Sequence, residues 1–228
     1  IGEKTLTGGH CATFTGAGEI RRDLRTAGFN TRRLPGFGGK KEVLQGVKRP
    51  PNQPESLLKL EAYTAQWSLA FEEIANALKA DLRGELVGVE HVGSTSVAGL
   101  VAQPILDIDV VISSGLVFNA VAAKLETMGY QREGHDGFCL PHTAAADLRD
   151  TVRSAMPHYV QVYPVGSARL HQHLLFRDYL RLYPEQANAY GDLKQAFVRR
   201  HPRDHSAYAG AKTRFINQLL AKARQELH

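Results

Sequence analysis

Apolar residues recur along this chain with two different periods. From Pro54 to about Leu82 they fall at steps of three and four, at Leu60, Tyr63, Trp67, Phe71, Ile74 and Leu78, which is the spacing of one buried face of a long helix. The aromatic trio Tyr63, Trp67 and Phe71 reads as core packing. A second helical run, Phe118, Val121, Leu125 and Met128, is stopped by Gly129, a residue suited to the left-handed turn after a helix end. Elsewhere the period drops to two. Leu86 to Val92 is mostly β-formers, and Ile105, Ile108, Val110 and Ile112 anchor a second strand in a core. Phe138 to Leu140 predicts a short strand followed by a loop or short helix. His158 to Tyr163 predicts another, with Tyr159, Gln161 and Tyr163 on one face and Val160 and Val162 on the other. The remainder is helical, broken at Pro184 and Pro202. The sum is an α/β (α+β) architecture: a mixed sheet with flanking helices and a C-terminal helical bundle.

Lys48-Arg49-Pro50-Pro51-Asn52-Gln53-Pro54 interrupts this pattern, since three prolines in seven residues forbid a helix and favour extended chain. It predicts a linker over 48–54 between a small N-terminal piece, 1–47, and a main domain, 55–228. The N-terminal piece reads as a strand around Cys11 to Thr15, a helix from about Gly18 to Ala27 ended by Gly28, and two short strands joined through Pro35-Gly36-Phe37-Gly38-Gly39.

Composition narrows the class without choosing a function. At 228 residues and 43% hydrophobic content the chain has ample material for a core. No stretch approaches the roughly 18 to 20 apolar residues that span a bilayer, and no secretory signal is visible, so the expected setting is cytoplasmic. Cys11 and Cys139 form no spacing motif and suit a reducing compartment. A net charge of +5 is compatible with a nucleotide or nucleic-acid partner, but the basic residues are scattered in short pairs with no aromatic platform beside them, so nucleic acid is not indicated.

The chemistry concentrates in Val89-Glu90-His91-Val92-Gly93-Ser94-Thr95-Ser96 and Pro104-Ile105-Leu106-Asp107-Ile108-Asp109. Gly93 lets backbone approach a ligand closely. A helix opening near Thr95, with the hydroxyls of Ser94, Thr95 and Ser96, would cradle phosphates. Asp107 and Asp109 share a strand face and repel each other unless a cation sits between them. Mg²⁺ suits such a pair, because it takes hard oxygen ligands and is usually held by one or two carboxylates plus substrate phosphates. Taken singly, a Gly-Ser turn is an ordinary helix cap and Asp-x-Asp an ordinary solvated strand face; the combination is the informative signal.

That combination resembles the nucleotidyltransferase superfamily, whose pattern is Gly-Ser, a helix, then Asp-x-Asp. More narrowly, Glu90 to Val97 with Gly99-Leu100 and Pro104 to Asp109 is similar to the GrpB family, a branch of that superfamily. Further likeness lies in His173-Leu174-Leu175-Phe176-Arg177-Asp178-Tyr179-Leu180, in Tyr190 with Lys194, and in Tyr208 with Lys212, Phe215 and Ile216. The resemblance implies a Mg²⁺-dependent transfer of a nucleoside monophosphate from a triphosphate to an unknown acceptor, with Asp107 and Asp109 as catalytic residues and metal ligands. Gly93, Ser94, Thr95 and Ser96 would stand at the phosphates. Ala98 and Gln103 replace the family's usual Pro and Lys, so a phosphate-neutralising charge is missing at Gln103. A non-catalytic nucleotide-binding module, attached to a tRNA-modifying protein or its remnant, is the alternative.

In the N-terminal piece, Gly8 to Thr15, Arg21 to Phe29 and Pro35 to Gly46 resemble the C-terminal tail of an MnmC-type methyltransferase domain, a family that methylates the tRNA wobble uridine with S-adenosylmethionine. The Gly-rich turn that holds that cofactor is absent from 1–47, so this segment is expected to carry no methyl-transfer chemistry of its own.

Three readings stay open. Tyr190 with Lys194 and Tyr208 with Lys212 are i,i+4 pairs, either snorkelling lysines at the edge of an apolar stripe or lysines at the phosphates. Superfamily members supply a third carboxylate from a later strand, where this chain offers Gln161; Glu90 would substitute as a metal ligand, or Asp136, Asp147 or Asp150. Among ten histidines, His171-x-His173 is the closest to a ligand pair, but at a helix start the two point apart and no acid or Cys cluster completes a zinc site.

Overall fold

The computed structural model of the chain describes residues 57–133, 136–140 and 156–226, together with three strands before residue 49. Two compact units, Ile1–Ser56 and Leu57–His228, divide the sequence. In the first, β1 (His10–Thr13), β2 (Phe29–Pro35) and β3 (Glu42–Lys48) form an antiparallel sheet in the order β1-β3-β2. Pro35 pairs with Glu42, and residues 36–41 between them lie outside the described residues. The helix expected over 18–27 lies outside the described residues.

The second unit carries the larger sheet. Its strands are β4 (Leu86–Val92), β5 (Leu106–Ile112), β6 (Gln131–Glu133), β7 (Gly137–Cys139) and β8 (His158–Pro164), in the order β4-β5-β8-β7-β6. β5 and β8 are parallel and the other neighbours antiparallel. Alternation along β5 sends Leu106, Ile108, Val110 and Ile112 to one side, where they are buried with Val160 and Val162 against helices α1 (Gln66–Asp81) and α2 (Phe118–Thr127). Leu106 thus takes the core position expected of Ile105, which precedes the strand and is only half-buried. Gly129 has φ +92°, as its helix-stopping role requires.

On the other side of β5 lie Asp107, Asp109 and Val111. Here the chain returns through α3 (Ala168–Leu182), α4 (Pro184–Arg200) and α5 (His205–Glu226). Phe176, Tyr179, Leu180, Tyr190, Leu219 and Leu220 form a second core that also takes in Val97 and Leu100 from the segment between β4 and β5. That connection is therefore held between sheet and bundle.

Two expected elements are corrected. The helix predicted from Pro54 begins only at Gln66. Before it, the Leu58 N–H is bound by the Pro202 carbonyl at 2.8 Å, and Glu61 and Ala102 exchange backbone hydrogen bonds of 2.8 and 3.0 Å. These tertiary bonds hold the segment extended although Leu60 and Tyr63 continue the helical period. The helix expected near Thr95 is a three-residue 3₁₀ turn, Ser94–Ser96, because Val97 already returns to extended backbone.

Candidate functional site

Gly93 is the hinge of the site. Its φ is +70°, a region open to glycine, and a Cβ there would collide with the carboxylate of Asp107. The backbone of the turn therefore lies directly against the first acid, so the turn and the carboxylate form one surface. Strand register supplies the neighbours: Asp107 lies opposite Val92 and Tyr159, and Asp109 opposite Glu90 and Gln161. All of these project on the face away from the α1–α2 core.

The two acids differ. Asp107 is half-buried; loss of water pushes its carboxyl up to about 6, against the pull of Lys212, His173 and Lys194 and with the help of Asp109. Asp109 is 0% exposed. Its Oδ2 accepts a hydrogen bond from Nδ1 of His173 at 2.7 Å, while Oδ1 is buried with no partner. Burial raises the Asp109 carboxyl above its usual range and the His173 hydrogen bond partly opposes this. Burial also works against a charge on His173, but the bond to Asp109 and the charges of both acids outweigh it and the imidazole is raised.

The residues of the turn divide into two sets. Thr95 is buried with its hydroxyl 3.0 Å from Nε2 of His91, and the Ser96 hydroxyl donates to the Gly93 carbonyl at 2.7 Å. Both hydroxyls are engaged within the motif, where they brace the turn. Ser94 Oγ instead accepts from Nζ of Lys194 at 3.0 Å. Lys194 is 1% exposed, donates also to the Val101 carbonyl, and lies 4.4 Å from the centre of the Tyr190 ring. Burial, then the charge of Lys212, pushes its ammonium down to about 7. Lys212 stands 4.6 Å from the Tyr208 ring and is likewise lowered by burial, with Asp107 pulling the other way. The structure thus brings Gly93, Ser94, Asp107, Lys194 and Lys212 together. The alternative of surface snorkelling does not describe Lys194, whose charged end is inside.

One constellation escaped the sequence reading. His173, Arg177 and Arg181 stand four residues apart on α3 and grip three successive parts of the motif. His173 takes Asp109; Arg177 takes Glu90 Oε2 at 2.7 Å and the His91 carbonyl at 3.2 Å; Arg181 donates twice to the Ser96 carbonyl, at 3.1 and 2.8 Å. The i,i+4,i+8 spacing of three cationic residues was the available signal. Considering His171 and His173 as a pair obscured it, since His171 is exposed and only His173 faces the sheet.

For the third carboxylate, Gln161 occupies the register position beside Asp109 and its Oε1 accepts from the Tyr163 hydroxyl. Glu90 is engaged by Arg177, and Asp136 by Arg169 at 3.2 Å; Asp147 and Asp150 lie outside the described residues. Among the described residues no group of three or more His, Cys, Asp or Glu side chains is set to hold a metal ion. A single cation still fits: Asp107 and the unpartnered Asp109 Oδ1 are hard oxygen donors on one face.

The fold and this site define a class: a mixed-sheet domain with two acids on a central strand, a Gly-Ser turn against the first of them, and a three-helix bundle closing the same face. The chain belongs to the GrpB family, whose model, described as GrpB protein, matches residues 58–222. The crystal structure of the conserved protein GrpB from Enterococcus faecalis superposes with a TM-score of 0.62 at 29% identity, covering 74% of this chain and 99% of that one. A UPF0157 protein of Pseudomonas aeruginosa is 36% identical over 69% of this chain. The chain spans 64% of that relative's length and 49% of the length of a UPF0157 protein of Bacillus subtilis. A second model, described as S-adenosyl-L-methionine-dependent methyltransferase, matches residues 1–49. The tRNA 5-methylaminomethyl-2-thiouridine biosynthesis bifunctional protein MnmC of Caulobacter vibrioides is 31% identical over 58% of this chain, which covers 19% of that protein. No helix among the described residues is long and apolar enough to cross a membrane.

Proposed function

We propose that the GrpB-like unit is a nucleotidyltransferase-type domain that binds a nucleoside triphosphate with one Mg²⁺ and transfers the nucleoside monophosphate to an acceptor hydroxyl. The observation that carries this reading is the juxtaposition of the carboxylate pair with the glycine turn: Gly93 lies against Asp107, Lys194 donates to Ser94 Oγ, and the charge of Lys212 acts on Asp107. Asp107 and Asp109 Oδ1 would hold the cation, which when bound supplies positive charge to the phosphate oxygens and to the departing pyrophosphate. The chain's own residues do the rest. The backbone of Gly93 and Ser94 admits phosphate closely because no Cβ intervenes, and the two lysines offset its charge in a site with little water. As the acceptor oxygen bonds to the α-phosphorus, the bond to pyrophosphate breaks, pyrophosphate leaves with the bonding pair and the hydroxyl proton passes to water. The work of the protein is to align the two and neutralise charge.

Calorimetric titration of the full chain with ATP should show binding that depends on Mg²⁺ and is lost in Asp107→Asn with Asp109→Asn. Unchanged ATP binding in that double variant sinks the proposal. The non-catalytic reading is favoured by one observation, the engagement of Glu90, Gln161 and Asp109 Oδ2 by other side chains, which leaves ligands for one cation rather than two. Binding of Mg²⁺ and ATP with no pyrophosphate released across a panel of hydroxyl acceptors is the outcome that supports it.

A further inference from the structure

We propose that His173 is the positioning residue of the cation site: it fixes the Asp109 carboxylate so that one oxygen belongs to the protein and the other to the ion. The inference rests on the reading of Asp107 and Asp109 as cation ligands, and it assigns to α3 the orienting work that a third acid would otherwise share.

The argument begins with the two oxygens of Asp109. The side chain is fully buried in mid-strand, so water cannot orient it. Oδ2 receives a hydrogen bond of 2.7 Å from the imidazole, and Oδ1 has no partner. A carboxylate only accepts, so Nδ1 carries the proton and the bond has one direction. A buried carboxylate with one oxygen bound and the other bare is an arrangement that proteins normally avoid. It is explained if Oδ1 is kept for a ligand, and Oδ1 lies on the same strand face as Asp107.

The imidazole is itself held. Tyr163 presents its ring edge-on, with centroids 5.6 Å apart and planes at 78°, and its hydroxyl is bonded to Gln161. One and two turns further along α3, Arg177 binds Glu90 and the His91 carbonyl, and Arg181 binds the Ser96 carbonyl. Three attachments at four-residue spacing fix both the rotation and the advance of the helix over the motif. The position of His173 therefore follows from the whole of α3 rather than from one contact. Of the two strand positions beside Asp109, the one on β8 holds an amide already turned to Tyr163 and the one on β4 holds Glu90, gripped by Arg177. Residues that hydrogen-bond a metal ligand orient it and tune its hold on the ion.

The test uses the full chain and Mn²⁺ alone, followed by electron paramagnetic resonance, with thermal melting of every variant. The wild-type chain should bind one Mn²⁺. His173→Phe, which keeps the ring but has no donor, should weaken that binding about 10- to 100-fold. His173→Asn, whose amide N–H can reach the same oxygen, should recover most of it. A merely structural role would move the melting temperature without this recovery. As a second measurement, ¹⁵N spectra of the histidines should show Nδ1 of His173 shifted by Mg²⁺ while keeping its proton. Equal Mn²⁺ affinity in His173→Phe overturns the proposal, and so does loss of the Nδ1 proton on Mg²⁺ binding, which would make His173 a ligand. If His173→Phe does not fold, the Asn variant and the spectra decide. A wild-type chain that binds no Mn²⁺ at all fails one step earlier, at the carboxylate pair, and is recognisable as such because Asp107→Asn then also changes nothing.

Discussion

Helix α3 and the pair α4 and α5 bring cationic side chains to the same motif, the turn with the acids that flank it, but into different company. The three from α3 meet carboxylates and carbonyls: His173 meets Asp109, Arg177 meets Glu90, and Arg181 meets Ser96. The two lysines from α4 and α5 meet aromatic rings, a hydroxyl and a carbonyl, and the acid that acts on both is Asp107. The consequence is visible in the charges. Burial opposes a proton on His173 and on the lysines alike, yet His173 is raised by its acid partner while Lys194 and Lys212 are lowered. On α3 the charges of His173 and Arg177 are thus met by acids within the protein, and those of Lys194 and Lys212 are left in want of an anion. The first side braces the turn, and the second faces what the turn would bind.

His91 gives the sharpest reading of the bracing side. It is buried, stacked on Phe71 at 4.6 Å and bonded to Thr95. Burial, then the charges of Arg181 and Arg177, holds it down to about 4. The unfolded chain binds this proton near 6.5 and the folded chain does not, so stability is intact above that pH and is lost progressively as pH falls from about 6.5 to about 4. The full effect is up to about 3 kcal/mol. Asp107 acts oppositely over part of that range, since its folded carboxyl lies high, so the quantity to measure is the difference between wild type and His91→Gln in urea unfolding. That difference should shrink by most of this amount between pH 7 and pH 4.5. A constant difference would mean that burial and the neighbouring arginines do not keep His91 neutral in the folded chain.

The lysine side should respond to ligand rather than to acid. Replacing both Lys194 and Lys212 by Met removes one buried and one half-buried charge that no acid pairs with directly, and the long apolar side chains keep most of the packing. We expect the ATP affinity in Mg²⁺ to fall about 100-fold, or roughly 2.7 kcal/mol, with a melting temperature equal to or above that of wild type. Calorimetry and thermal melting check the two halves separately. Unaltered ATP affinity would break the division between the faces.

Much of this was legible beforehand, and the reasons differ by level. Period-two and period-three-to-four patterns found β4, β5, β8, α2 and the bundle, because each buries one continuous apolar face. That Asp107 and Asp109 share one face followed from strand alternation, whereas the i,i+4 tyrosines left Lys194 and Lys212 open between snorkelling and a place at the phosphates. The start of α1 was not legible, because Glu61 and Ala102 are joined by backbone hydrogen bonds that leave no trace in side-chain order. Nor were the roles of Thr95 and Ser96, since hydroxyls beside a glycine suit a phosphate cradle or an internal brace equally until the partner of each is known. The grip of α3 was written in His173, Arg177 and Arg181, but only a register across distant strands shows what they hold.

The smallest expected effect is the one that fixes the place of Glu90. Its side chain is 38% exposed and that of Arg177 13%, with 2.7 Å between them. Arg177→Met removes this pair together with the bonds to Asp178 and to the His91 carbonyl. Because water can reach Glu90 once the guanidinium is gone, the cost should be modest, about 1 kcal/mol in urea unfolding. The more telling half is Mg²⁺ affinity. If Glu90 is a brace, freeing it changes nothing at the cation, and Arg177→Met and Glu90→Gln should each stay within about twofold of wild type, well under the 1.4 kcal/mol of a tenfold change. If Glu90 is a cation ligand restrained by Arg177, the two variants must diverge: Arg177→Met releases a carboxylate toward the ion and tightens binding, while Glu90→Gln removes one and weakens it. That divergence would transfer Arg177 from the bracing face to the binding face and return the third ligand position to Glu90.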